Sequence, residues 1–197
     1  VDLAGAERGY SASNHADAFD LAQQAGLGIT LHAGEAAGPV SIHHALHDCH
    51  AQRIGHATWV FGMNPMLSSP VRGQTLANTS LVDELVVRQI GIEVCLTSNL
   101  QSMPEMENLK DHPLAAMLDR GLAATLCTDN LLMSRTTLSQ EYLRAQRTWH
   151  WPVSTLQALT MRGFEQSFFP GSSGEKTAFL KAIRHFCTTL IPDAEKK

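Results

Sequence analysis

The chain has 197 residues, 44% of them hydrophobic and 17% charged, with a formal net charge of −4. Apolar residues spread along the whole length argue against disorder, and a mildly acidic balance without any Lys/Arg run argues against a nucleic-acid partner. No run of about 18 apolar residues is available to cross a membrane, and Val1-Asp2-Leu3-Ala4-Gly5 has neither the basic nor the apolar region of a signal peptide.

The first residue is Val rather than Met, so the chain is expected to begin inside a longer protein. Cys49, Cys95, Cys127 and Cys187 form no C-x-x-C pair. They read as free thiols of a reducing, cytoplasmic compartment rather than as zinc or redox ligands.

Short aliphatic runs alternate with helical patterns. Val1-Asp2-Leu3 reads as the tail of one strand. Gly28–Leu31 leads into His32, Arg53–Gly55 into His56, Gly91–Leu96 into Thr97-Ser98-Asn99, and Ala123–Cys127 into Thr128-Asp129-Asn130. Runs of this kind are what strands buried on both faces need. Helical patterns cover Ala16–Ala25, closed by Gly26, Val40–His50, entered at Pro39, Leu81–Gln89, and Pro113–Arg120, closed by Gly121. Three more follow at Leu138–Arg147, Val153–Phe168 and Glu175–Leu190, before a charged tail, Asp193–Lys197, expected to fray. Phe61–Ser80, with Gly62, Pro65, Pro70 and Gly73, breaks the rhythm and reads either as a lid or as a surface insertion.

Alternating strands and helices imply an α/β fold with parallel strands and right-handed crossovers. Polar residues recur at the strand C-termini, where both a (β/α) barrel and an open doubly wound sheet place their sites. No Gly-rich phosphate fingerprint follows any of the runs, which favours the barrel. A complete barrel has eight strands in about 250 residues. The expectation is therefore an incomplete (β/α)8 TIM-barrel type, holding the last four to five strands and their helices, with added C-terminal helices from about residue 138.

Three strand ends carry groups suited to metal or proton chemistry. In His32-Ala33-Gly34-Glu35 an imidazole and a carboxyl stand within one turn of each other. The plainer alternative is a rim histidine beside a helix-start glutamate. His56 suits a base or a ligand, and Asp129 suits a hard metal ligand or a turn aspartate. Ser98 and Asn99 either line the pocket floor or brace the strand end.

Five stretches in order carry a resemblance: Asp2-Leu3-Ala4-Gly5, His32-Ala33-Gly34-Glu35-Ala36, Arg53-Ile54-Gly55-His56, Cys95-Leu96-Thr97-Ser98-Asn99 and Cys127-Thr128-Asp129-Asn130. With them the chain resembles the adenosine deaminases of the amidohydrolase superfamily over nearly its whole length. The resemblance implies His32 and Asp129 as zinc ligands, Glu35 as the proton donor to purine N1, and His56 as the group that orients or deprotonates a zinc-activated water. It also implies that the Gly5 N–H meets N3 of the base and that Asn130 meets N7. The implied reaction is hydrolytic deamination of adenosine or deoxyadenosine to inosine or deoxyinosine and ammonia. Adenine and aminodeoxyfutalosine remain alternative substrates. The H-x-E with P-C-x-x-C signature of cytosine-type zinc deaminases is absent.

Two departures from the family pattern matter. Many members have two consecutive Asp residues where this chain has Asp129-Asn130; an Asn amide donates to N7 without holding an extra proton. The His-x-His pair of the family's first strand has no counterpart among the ten histidines. That leaves two zinc ligands where catalytic sites use three plus water. The chain is thus expected to be the second half of a deaminase barrel, inactive alone. Its open sheet edges would need a missing N-terminal half or a second copy. The competing expectation is a non-catalytic truncated product that complements another chain. His43, His44, His47 and His50 read as a solvated helix face, and Trp149-His150-Trp151-Pro152 as core packing.

Overall fold

The computed structural model describes residues 1–62 and 74–190. Strands β1 (Asp2–Leu3), β2 (Thr30–Ala33), β3 (Arg53–His56), β4 (Gly91–Val94) and β5 (Ala123–Leu126) form one all-parallel sheet in the order β1-β2-β3-β4-β5. Strand order that follows chain order without reversal is the winding of a (β/α) barrel. A doubly wound sheet reverses at its switch point, so that alternative is excluded for these strands.

Helices α1 (Ala16–Gln24), α2 (Pro39–His47), α3 (Gln74–Val87) and α5 (Leu114–Asp119) lie in the connections between strands. Alternation along each strand puts Leu31, Ile54, Ile92 and Ala124 on one face, where they are fully buried with Ile42, Leu85 and Met117 in one core. Each large aliphatic side chain buried this way contributes about 1.5–3 kcal/mol. The opposite, inner face is polar. Arg53 Nε donates to Glu93 Oε1 at 2.5 Å, and Thr30 Oγ1 donates to the same oxygen at 3.1 Å.

Helices α4 (Leu96–Ser102), α6 (Leu131–Ser134), α7 (Leu138–Trp149), α8 (Val153–Glu165) and α9 (Ser173–Leu190) complete the described chain. The end of α8 and the residues after it cover the strand-start side of the inner face. Gly163 sits against Thr125, Gln166 against Gly91, and a Cβ on Gly28 would overlap the Phe168 ring. Arg53 lies over that ring at 4.7 Å. None of the described helices is long and apolar enough to cross a membrane.

Several boundaries differ from the sequence expectation. His32 and His56 lie inside β2 and β3, because His32 pairs with Gly55 and Ala33 with His56. The β4 run ends at Val94 and turns at once into α4, which sequence reading had taken as strand and loop. Residues 74–80, read as irregular, are helical and begin α3. Residues 63–73 of that segment and the charged tail lie outside the described residues. Trp149 and Trp151 stack at 4.7 Å against the core, as core packing requires. His43, His44 and His47 lie on α2 but His50 lies beyond its end, and the group is not a purely solvated face: His47 pairs with Glu84 at 3.1 Å and His50 with Asp20 at 2.7 Å. All four cysteines are free. Burial holds Cys49 near 11 and Cys127 near 12, so neither is a thiolate at neutral pH.

Candidate active site

The groups singled out at the strand ends converge. His32 lies on the inner face of β2, and its Nδ1 is 3.3 Å from Asp2 Oδ1 on the neighbouring β1. His56 would share the helix-facing side with Ile54 if β3 stayed extended. Its backbone instead adopts φ 67°, followed by φ 48° at Ala57, and its ring centre lies 5.0 Å from that of His32. Asp129 also has a left-handed backbone, φ 56°. A non-glycine residue held there costs about 1–3 kcal/mol and persists only where surrounding contacts fix it.

Such contacts surround Asp129. Asp129 Oδ2 accepts from Ser98 Oγ at 2.6 Å. Burial pushes its carboxyl up, but the Ser98 hydrogen bond, attraction to His56 and His32 and the Asn130 amide outweigh burial, and the group sits below its ordinary value. Glu35 Oε1 accepts from Ser102 Oγ at 2.7 Å and from Asn99 Nδ2 at 3.3 Å, while Oε2 is 3.6 Å from His56 Nε2. Oε1 is thus occupied by two donors, and Oε2 is the oxygen with room for a proton.

Gly34 makes the turn between His32 and Glu35 at φ 77°, and a Cβ there would meet Ile42 Cδ1 at 2.6 Å. The turn is clasped by Glu7, which sequence reading missed. Its carboxylate accepts from Gly34 N at 2.6 Å, from Ala36 N and from Ser41 Oγ. The clasp ties the segment after β1 to the turn after β2. Gly5, Glu7, His32 and Ser41 border a cleft of about 450 Å³ there. Asn130 lies apart from that cleft wall. Its Oδ1 caps α6, accepting from Leu132 N and Met133 N at 3.1 and 3.0 Å, so only its Nδ2 remains to donate.

Two further residues were missed or left open. Asn99 is fully buried and touches both Glu35 and His56. His112 is 2% exposed and bonds Asn99. Only Asn99 gave a sequence signal, through its place in the Thr97-Ser98-Asn99 strand end.

Zinc, which the family resemblance implies, can be tested against the donors present. An imidazole whose Nδ1 faces a carboxylate and whose Nε2 points elsewhere is the usual form of a metal-binding histidine. An ionised carboxylate beside it fits a divalent cation in type. In number the set falls short: among the described residues no group of three or more His, Cys, Asp or Glu side chains is placed to hold a metal.

Comparison with known proteins places the chain in a family. Residues 1–185 match the family model described as adenosine deaminase. The chain is 34% identical over 191 residues to the adenosine deaminase of Haemophilus ducreyi, covering 97% of this chain and 50% of that protein. Among solved structures it is similar to an adenine deaminase from Arthrobacter aurescens (TM-score 0.77, 25% identity, 94% of this chain and 51% of that one). It is also similar to the N6-methyl-AMP deaminase of Arabidopsis thaliana (TM-score 0.72, 26% identity, 98% and 50%). The chain thus spans about half the length of these relatives, and its five strands are part of a (β/α) barrel. By motif order, strand topology and the match over residues 1–185, this chain belongs to the adenosine deaminase family.

Proposed function

We propose that this chain forms the C-terminal half, residues 1–197, of a single barrel domain that hydrolyses adenosine or deoxyadenosine to inosine or deoxyinosine and ammonia. The observation that carries the reading is the convergence of His32, Glu35, His56 and Asp129 at the C-terminal ends of β2, β3 and β5. A complementary half of the barrel completes the ligand set. The open edges at β1 and β5 and the exposed Leu131, Leu132 and Met133 beside Asp129 support such a partner. A second copy of the chain is the other candidate. The compartment is the cytoplasm, where the free thiols are stable.

His32 and Asp129 would hold zinc, and the chemistry it supplies when bound is Lewis-acid activation of water at neutral pH. The remaining steps belong to the chain. Glu35 carries a proton on Oε2 and delivers it to N1 as a C–O bond forms at C6. Protonating N1 lets the ring accept the electron pair displaced by attack. The proton given up by the attacking water passes by way of Asp129 to the amino group, the C6–N bond breaks as ammonia leaves, and the remaining hydroxyl proton returns to Glu35 as the C6 carbonyl forms. Asp129 accepts a hydrogen bond from the attacking oxygen. The Gly5 N–H donates to N3, and Asn130 Nδ2 donates to N7 while its oxygen caps α6.

The test is the ultraviolet change on converting adenosine to inosine, with zinc content measured alongside, in the 197-residue chain and in the full-length protein. Turnover is expected only in the full-length protein, and Glu35→Gln should nearly abolish it. Full activity in Glu35→Gln refutes the proton-donor role. Adenine, N6-methyl-AMP and aminodeoxyfutalosine belong in the same assay, because neighbours of similar fold are named for two of them. Preference for any of these over adenosine would refute the substrate assignment.

A further inference from the structure

A hydrogen-bond chain with a fixed donor at one end and a fixed acceptor at the other runs behind His56. The Leu114 N–H, the first amide of α5, donates to His112 Nδ1 at 3.1 Å. A backbone amide only donates, so Nδ1 is bare and the ring carries its proton on Nε2. His112 is buried, and burial together with the nearby His56 pulls its pKa down to about 3. The ring is therefore neutral, and its Nε2–H donates to Asn99 Oδ1 at 3.2 Å. That fixes the amide, so Asn99 Nδ2 donates to Glu35 Oε1 at 3.3 Å and to His56 Nδ1 at 3.2 Å. The Glu35 end demands the same orientation independently, because the carboxylate oxygen there accepts. Two unrelated ends agree on one arrangement.

We infer that Asn99 is a positioning residue that holds His56 with a bare Nδ1 and its hydrogen on Nε2, backed by His112 and the Leu114 amide. A proton on His56 Nδ1 would face the Asn99 amide hydrogens, donor against donor. Nε2 is the nitrogen on the Glu35 side, 3.6 Å from Oε2. With its hydrogen there, His56 presents a donor to the reacting groups. The functional consequence rests on the deaminase reading: His56 orients the attacking water by donating to its oxygen and leaves removal of the water's proton to another acceptor. The two roles open for His56 at the level of sequence are thereby reduced to one.

Long-range 1H–15N correlation spectra of the histidine-labelled chain at pH 7 test this directly, since bare and protonated ring nitrogens resonate far apart. The rings are assigned by loss of their signals in His56→Gln and His112→Gln. Both His56 and His112 should show a bare Nδ1 and a protonated Nε2. In Asn99→Asp the partner of His56 Nδ1 becomes an acceptor. His56 should then gain a proton on Nδ1, while His112 keeps its tautomer. A wild-type His56 protonated on Nδ1, or an unchanged His56 in folded Asn99→Asp, overturns the inference. If Asn99→Asp does not fold, the wild-type spectrum decides alone. The spectra do not depend on turnover, so expected tautomers without deamination would remove the functional reading and leave this one standing.

Discussion

Replacing Glu141 should unfasten the helix that carries three of the site's supporting side chains. Glu141 lies on α7 with no exposed surface, and its carboxylate accepts from Thr97 N at 3.0 Å, from Thr97 Oγ1 and from Thr136 Oγ1 at 2.6 Å. Thr97 is in the first turn of α4, whose amides have no partner within the helix. From that helix Ser98 reaches Asp129, Asn99 reaches Glu35 and His56, and Ser102 reaches Glu35. Glu141→Leu leaves three buried donors without an acceptor, at about 1–3 kcal/mol each. Hydroxyl rotation recovers part, so a net loss of about 3–5 kcal/mol is expected. Glu141→Gln keeps an oxygen for the Thr97 amide and should lose about 1–2 kcal/mol. With a urea m-value of about 2 kcal/mol/M, the Leu variant should unfold at about 1.5–2.5 M lower urea. A Leu variant within about 0.5 kcal/mol of wild type would refute the reasoning, because that is the range of surface substitutions without a structural role.

Gly34→Ala forces a side chain onto φ 77° and into Ile42, and should cost about 2–4 kcal/mol by thermal unfolding; a loss under about 0.5 kcal/mol would show that the turn is not strained. His112 is neutral when folded, with a pKa near 3, and about 6.5 when unfolded. As pH falls through 6.5 the unfolded chain takes up a proton that the folded chain refuses, so stability drops across the window from 6.5 to 3. Between pH 7.5 and 5 the loss from this residue is about 2 kcal/mol, read as the difference between wild type and His112→Gln in urea unfolding. Equal pH dependence in the two proteins would contradict it. In the full-length protein, chelation should abolish turnover and zinc should restore it. His32→Ala and Asp129→Ala should each lower bound zinc by at least about tenfold in affinity, and unchanged zinc content in either would remove that residue from the ligand set.

The parallel strands and their order were readable because short stretches such as Ile29-Thr30-Leu31 and Ile92-Glu93-Val94 are rich in β-branched and aliphatic residues and recur between helical patterns, although the polar residue in each faces the inside of the sheet. His32, Glu35, His56 and Asp129 stood out because each follows such a run. What holds them did not stand out. The start of α4 depends on Glu141, 44 residues further along the chain, so no local cap announces it. Glu7 has no signal of its own in the sequence, because its partners Gly34 and Ala36 are 27 and 29 residues away. His112 is a polar residue before a proline; the Leu114 amide fixes its proton on Nε2, and only burial beside Asn99 gives that proton its acceptor. The family expectation for Asn130 was half legible: its amide can donate, but its oxygen is committed to a helix end.

The placement of Gly163, Gln166 and Phe168 across the strand starts bears on traffic. Among the described residues they partly cover that side of the inner face. His32 and Asp129 sit at the other rim, so under the proposed reaction a reactant would meet them from there, and a bulky residue on the loops of that rim would slow its arrival while leaving the cover over the strand starts untouched.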